Sequence, residues 1–125
     1  MIIGNKEYRF LYSVRASLTI SKMLPGNNLG KIADVLNAGD QVKNIDLILG
    51  MAIAMNEAYL RRQAYENGTE FDPNEVLKRS ALEEMTMEEL LALEDEVVSA
   101  YSVGNKTSVD AESAGKKRKE AVQTD

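Results

Sequence analysis

The 125-residue sequence contains no cysteine and no histidine. Without cysteine there is neither a disulfide framework nor a thiolate metal site, and the composition fits a reducing compartment. Without histidine, the commonest general base and the commonest metal ligand are both gone. Every hydrolytic triad of the Ser-His-Asp kind is thereby excluded. Long apolar runs are lacking too. The longest, "IDLILGMAIAM" at 45–55, is interrupted by Asp46 and falls short of the ~20 residues that span a bilayer. The start, "MIIGNKEYRF", has neither the basic opening nor the long apolar centre of a secretory signal. A soluble, cytoplasmic protein that does not associate with membranes is expected. No Gly-rich phosphate loop occurs, and no cofactor is expected.

The residues present are ordinary in amount and uneven in arrangement. Hydrophobic residues make up 44% of the chain and charged residues 28%, as in a single globular domain with a modest core. The net charge is −5. Residues 69–103 hold ten acids (Glu70, Asp72, Glu75, Glu83, Glu84, Glu88, Glu89, Glu94, Asp95 and Glu96) against Lys78 and Arg79, a local charge of −8. The remainder, 104–125, holds five bases and four acids. An acidic body repels phosphates and argues against a nucleic-acid-binding role. Arg15, Lys31, Lys43, Arg61 and Arg62 are scattered along the chain and form no basic helix.

Periodicity predicts a mainly α (α+β) fold: a short N-terminal β-hairpin, about five helices, and a disordered C-terminal tail. The domain is expected over 1–103, with the hairpin at 1–12 and the helical array at 13–103. In the hairpin, "MII" is one strand, "GNK" the turn and "EYRFLY" the return strand. Tyr8, Phe10 and Tyr12 alternate at strand period and face the helices. Ser13 caps a first helix from Val14 to about Leu24, stopped by Pro25-Gly26. Asn28 caps a second, with Leu29, Ile32, Ala33 and Leu36 as its apolar stripe and Gly39 at its end. Asp40 caps a third and longest helix, from Gln41 to about Glu66. Its stripe is Val42, Ile45, Leu49, Ala52 and Tyr59, widened by Ile48, Met51 and Met55. Such wide apolar coverage marks a central, buried helix. Gly50 there implies either close helix packing or a bend.

Two capping boxes come next along the chain. In "FDPNEV", Asp72 caps, Pro73 takes the first helical position and Glu75 answers, with Phe71 and Val76 placed as a staple. In "MTMEEL", Thr86 caps and Glu89 answers, with Met85 and Leu90 as staple. Helices over roughly 73–84 and 87–102 result, the last with Leu90, Leu93, Val97 and Tyr101 as its buried stripe. From Gly104 onward only two valines are bulky and apolar, too little to offset ordering entropy. A disordered tail is expected over 104–125.

The acids at 83–84, 88–89 and 94–96 lack the alternating spacing of a calcium loop. They read as a solvated helix face, with acids favoured near a helix N-terminus, or as a docking face for a basic partner. The aromatic residues of 8–12 read as packing rather than base stacking, and Met51 and Met55 as core rather than an adaptable groove. Lys116-Lys117-Arg118-Lys119 is a short basic run in the tail.

The layout resembles the tail assembly chaperones of long-tailed bacteriophages and prophages. The resemblance rests on "NKEYRFLYSVRASLTISKM", the helical array, "FDPNEVL", "TMEELLALEDEVV" and the polar tail. It covers about 1–103 and contains no diagnostic motif. It implies a non-enzymatic protein of the bacterial host cytoplasm, absent from the mature virion. Its partners would be the tape-measure protein and the tail tube protein, with self-association also open. It further implies a longer frameshifted product, for which a slippery heptamer could encode Gly115-Lys116-Lys117. The partner-binding candidates are Glu83, Glu84, Glu88, Glu89, Glu94 and Glu96, or the hairpin edge with Tyr8 and Phe10, since an exposed edge strand invites another strand. The alternative is a small phage regulatory or nucleic-acid-associated helical protein. Acid-only or lysine chemistry remains formally open to an enzyme.

Overall fold

The computed structural model describes residues 1–32, 34 and 41–120, with side chains at 41–43 and 105–120 left out. Strands β1 (Ile2–Ile3) and β2 (Lys6–Glu7) form a two-stranded antiparallel sheet, with Ile2 opposite Glu7 and Ile3 opposite Lys6. Gly4 turns the chain at φ +65°, a left-handed conformation that costs glycine nothing. Four α-helices follow among the described residues: α1 (Val14–Ser21), α2 (Gln41–Asn67), α3 (Arg79–Glu83) and α4 (Met87–Glu120). Both α1 and α4 pack on α2.

α2 is the central element, as its sequence implies. Leu47, Ile48, Leu49, Met51, Ala52, Ala54, Met55 and Ala58 are all buried, around most of its circumference. Met51 and Met55 are core residues with no exposed surface. The helix runs unbroken through Gly50, where an added Cβ would lie 2.7 Å from the Met23 sulfur. The glycine leaves room for the end of the Met23 side chain. At the far end the Thr69 N–H returns to the Ala64 carbonyl (2.9 Å), closing the helix at Asn67-Gly68 as expected.

Leu93 and Val97 of α4 are completely buried, with Leu90 and Tyr101 packed beside them. Each such side chain contributes about 1.5–3 kcal/mol through burial. Tyr12 meets Tyr101 edge to face, with ring centroids 4.8 Å apart. Burial first, and the nearby Tyr101 second, push the Tyr12 phenol above its ordinary pKa.

The observed elements depart from the sequence expectations at five places. The return strand does not run through "EYRFLY": backbone pairing ends at Tyr8, which exchanges two hydrogen bonds with Met1 (2.8 Å each). Beyond it the Leu11 N–H donates to the Met55 carbonyl (3.0 Å), and the Asn56 amide donates to the Arg9 carbonyl (3.0 Å). This stretch lies along α2, and its backbone groups at 9 and 11 are spent there. α1 ends at Ser21 rather than Leu24, because Lys22, Met23 and Leu24 donate three residues back, to Thr19, Ile20 and Ser21. Asn28 caps as expected, its side chain accepting from the Gly30 N–H (2.8 Å), but it opens a 3-10 turn, Leu29–Lys31, in place of an α-helical start. Ile32 is buried, whereas Ala33, Leu36, Gly39 and Asp40 lie outside the described residues.

The helix expected over 73–84 is broken. Pro73–Glu75 is a 3-10 turn, Val76 is extended (ψ 141°), and α3 starts only at Arg79. The cause is tertiary: the Leu77 N–H donates to Asn56 Oδ1 (2.8 Å), a buried bond from another helix. Among the described residues four α-helices stand where about five were expected; the second expected helix falls largely on residues 33 and 35–40, which lie outside the described ones. Lastly, α4 does not stop near 102. Its backbone remains helical to Glu120, which corrects, to that residue, the expectation of a tail without regular structure from Gly104. Residues 111–120 include Ala, Glu, Lys and Arg, good helix formers even without an apolar stripe. Residues 121–125 lie outside the described residues.

Candidate functional site

Of the two capping boxes, only the second forms. Thr86 Oγ1 accepts from the Glu89 N–H (3.1 Å), and Glu89 Oε1 accepts from the Thr86 N–H (2.8 Å). Asp72 does cap its turn, accepting from the Asn74 N–H (2.9 Å). Glu75 is drawn away to Lys6, whose ammonium donates to Glu75 Oε1 (2.6 Å) and more weakly to its carbonyl (3.3 Å). That carboxylate raises the Lys6 pKa. The pair fastens the hairpin to the turn before α3. On the other side of the hairpin, the N-terminal amine of Met1 donates to Glu7 Oε2 (2.6 Å) and holds that carboxyl below its ordinary pKa.

The acidic candidates do not form one face. Glu83 is on α3, paired with Arg79 (3.1 Å). Glu84 caps the C-terminal end of α3. On α4, at 3.6 residues per turn, Glu89 and Glu96 share one flank, Glu88 and Asp95 a second, and half-buried Glu94 a third. The fold does bring Glu84 and Glu89 beside the hairpin. Met1, Ile2, Ile3 and Gly4 face Ala81, Glu84, Met85 and Glu89 across a groove of about 290 Å³. Ile2 is 66% exposed beside it. The two surfaces that the sequence offered as alternatives, hairpin and acids, thus adjoin. The contact lies at the hairpin turn, however, and not at the 8–12 edge. Tyr8 and Phe10 pack against the core, in keeping with the packing role expected of these aromatic residues.

The basic residues are less scattered than their numbers suggest. Arg15, from the start of α1, lines one groove of about 660 Å³ with Arg61 and Arg62 from the last turns of α2. The same groove holds Val14, Tyr65 and Phe71. The Arg61 guanidinium lies 4.0 Å from the Phe71 ring centre, and that of Arg62 5.6 Å from the Tyr65 ring centre. Sequence reading missed this site because 46 residues separate Arg15 from Arg61. The local signals were the adjacent pair Arg61-Arg62 and Tyr65, exposed in the last turns of α2. A third cleft, of about 910 Å³, is lined by Lys22, Lys31, Asp34, Asp46 and Arg79. Its charges are largely paired: Arg79 binds Asp46 and Glu83, and Lys31 approaches Asp34 at 3.9 Å.

Among the described residues no three acids converge as metal ligands, and no helix is long and apolar enough to cross a membrane. In comparisons with known proteins, no family model, no curated protein and no solved structure matches the chain.

Proposed function

We propose that the protein is a non-enzymatic binding protein of the tail assembly chaperone type. It docks a basic, apolar-studded segment of a tape-measure protein in the groove between the hairpin and the start of α4. One observation carries this reading: exposed Ile2 lines an apolar groove whose rim holds the carboxylates of Glu84 and Glu89. An apolar contact flanked by carboxylates suits transient capture, since charge steers the encounter and sets its salt dependence. The family resemblance names the partner, and recruitment of tail tube subunits would follow from it. The alternative, a nucleic-acid-associated protein, has the arginine groove in its favour. The net charge of −8 over residues 69–103 opposes a polyanion, which makes it the weaker reading.

The test is a pull-down with the product of the large, coiled-coil-rich reading frame that should lie downstream. Wild type should retain it at low salt and lose it as salt rises. Ile2→Ser and Glu84→Lys should each weaken capture while leaving the circular dichroism unchanged. No association of wild type at any salt concentration overturns the reading.

A further inference from the structure

Two further surfaces are exposed and complementary. The first is the groove of Arg15, Arg61, Arg62, Tyr65, Phe71 and Val14. Tyr65 and Val14 are each 78% exposed, and Arg15 makes no ion pair among the described residues. The Arg61–Glu57 and Arg62–Glu66 pairs are i,i+4 surface contacts, each worth only about 0.3–0.5 kcal/mol. An incoming carboxylate can take over such a guanidinium at little cost, and the planar fork matches it in two-point contact. The second surface is the outer flank of α4, where Met87, Glu88, Leu91 and Asp95 fall within about 100° of helix circumference. Met87 is 64% and Leu91 59% exposed, unusual for large apolar side chains beside exposed carboxylates. Neither surface shares a residue with the groove between the hairpin and α4.

We infer that a second copy of this chain fills the arginine groove with the outer flank of its α4. Glu88 and Asp95 meet Arg15, Arg61 and Arg62, while Leu91 and Met87 cover Tyr65 and Val14. The groove and the flank match in charge sign and in apolar content. A long polyanion would also meet the arginines, but it brings no aliphatic surface for exposed Val14, which Leu91 and Met87 of the flank supply. Each copy offers one flank and one groove, so copies either add head to tail or pair reciprocally about a two-fold axis. This goes beyond the binding function proposed above and does not depend on it.

The experiment is sedimentation of the full chain over a concentration series. For wild type at low ionic strength, the weight-average mass should rise to that of a dimer or beyond and return to the monomer in high salt. A groove variant (Arg15→Gln, Arg61→Gln, Arg62→Gln) and a flank variant (Glu88→Gln, Leu91→Ala, Asp95→Asn) should each associate at least ~10-fold more weakly. All the altered side chains are exposed except half-buried Arg61, and the helicity of both variants is checked by circular dichroism. Mixed one to one, the two should form a dimer and nothing larger, because one supplies the only intact flank and the other the only intact groove. A wild type that stays monomeric at every concentration overturns the inference, as does a mixture that stays monomeric. A single-stranded oligonucleotide that binds wild type, fails to bind the groove variant and leaves the protein monomeric overturns it too, and assigns the groove to nucleic acid.

Discussion

Asn56 is the residue on which the middle of the molecule hinges. It is the one buried polar side chain among the described residues, 1% exposed. Its amide group donates to the Arg9 carbonyl and its oxygen accepts from the Leu77 N–H. One side chain of α2 therefore pins the segment after the hairpin and the segment before α3. It also explains why α3 starts late, since an N–H given to Asn56 is lost to a helix. Asn56→Ala would leave a buried N–H and a carbonyl unpaired and make a small cavity. A loss of about 2–4 kcal/mol is expected from two unsatisfied groups, read as a lower urea midpoint. Asn56→Asp keeps the acceptor for Leu77 and loses the donor to Arg9. It should fall between the two if both bonds matter, and match Asn56→Ala if a buried charge outweighs the retained bond.

At the scale of an element, the start of α4 shows how a local signal survives folding. The Thr86–Glu89 box is made within four residues and needs nothing from the rest of the chain. The Asp72–Glu75 box has the same spacing and the same glutamate and fails, because Lys6, 69 residues away, offers Glu75 a charged partner. Thr86→Ala should cost about 1 kcal/mol. Glu89→Ala should cost a similar amount, and the double variant less than the sum, since the two bonds form one reciprocal unit. Equilibrium urea unfolding of the three variants measures this cycle. Strict additivity would mean that the two bonds do not support each other.

At the scale of the whole molecule, two glycines decide how helices meet the rest. An added Cβ at Gly104 of α4 would lie 2.8 Å from both the Tyr12 Cβ and the Tyr12 backbone carbonyl oxygen. Backbone cannot move aside without shifting the segment that also carries the Tyr12–Tyr101 ring contact. Gly104→Ala is therefore expected to destabilise by about 1–3 kcal/mol, an overpacking cost, despite alanine's better helix propensity. Gly50→Ala is the control. There the obstacle is the Met23 side chain, itself 42% exposed and free to swing. A change within about 1 kcal/mol of zero is expected, with gained propensity offsetting the displaced thioether. Thermal unfolding of both variants should separate them clearly. Equal effects would show that close approach is not what Gly104 provides.

The sequence by itself determined whatever depends on neighbours a few positions apart. The Ser13 and Thr86 caps, the turn at Gly4, the central burial of α2 and the Leu93–Val97 stripe of α4 all follow from local spacing, and all were legible. It could not determine what competes for the same groups from far away. Glu75 turns to Lys6, the Leu77 N–H turns to Asn56, and the 9–12 stretch lies along α2 instead of extending the sheet. In each case a partner tens of residues distant satisfies a polar group better than the local pattern could. The binding surfaces divide in the same way. The acids of 83–96 were visible as a cluster, but helix geometry splits them onto separate flanks and brings only Glu84 and Glu89 beside the hairpin. The arginine groove was not visible at all, because burying the apolar faces of α1 and α2 is what brings Arg15 beside Arg61 and Arg62.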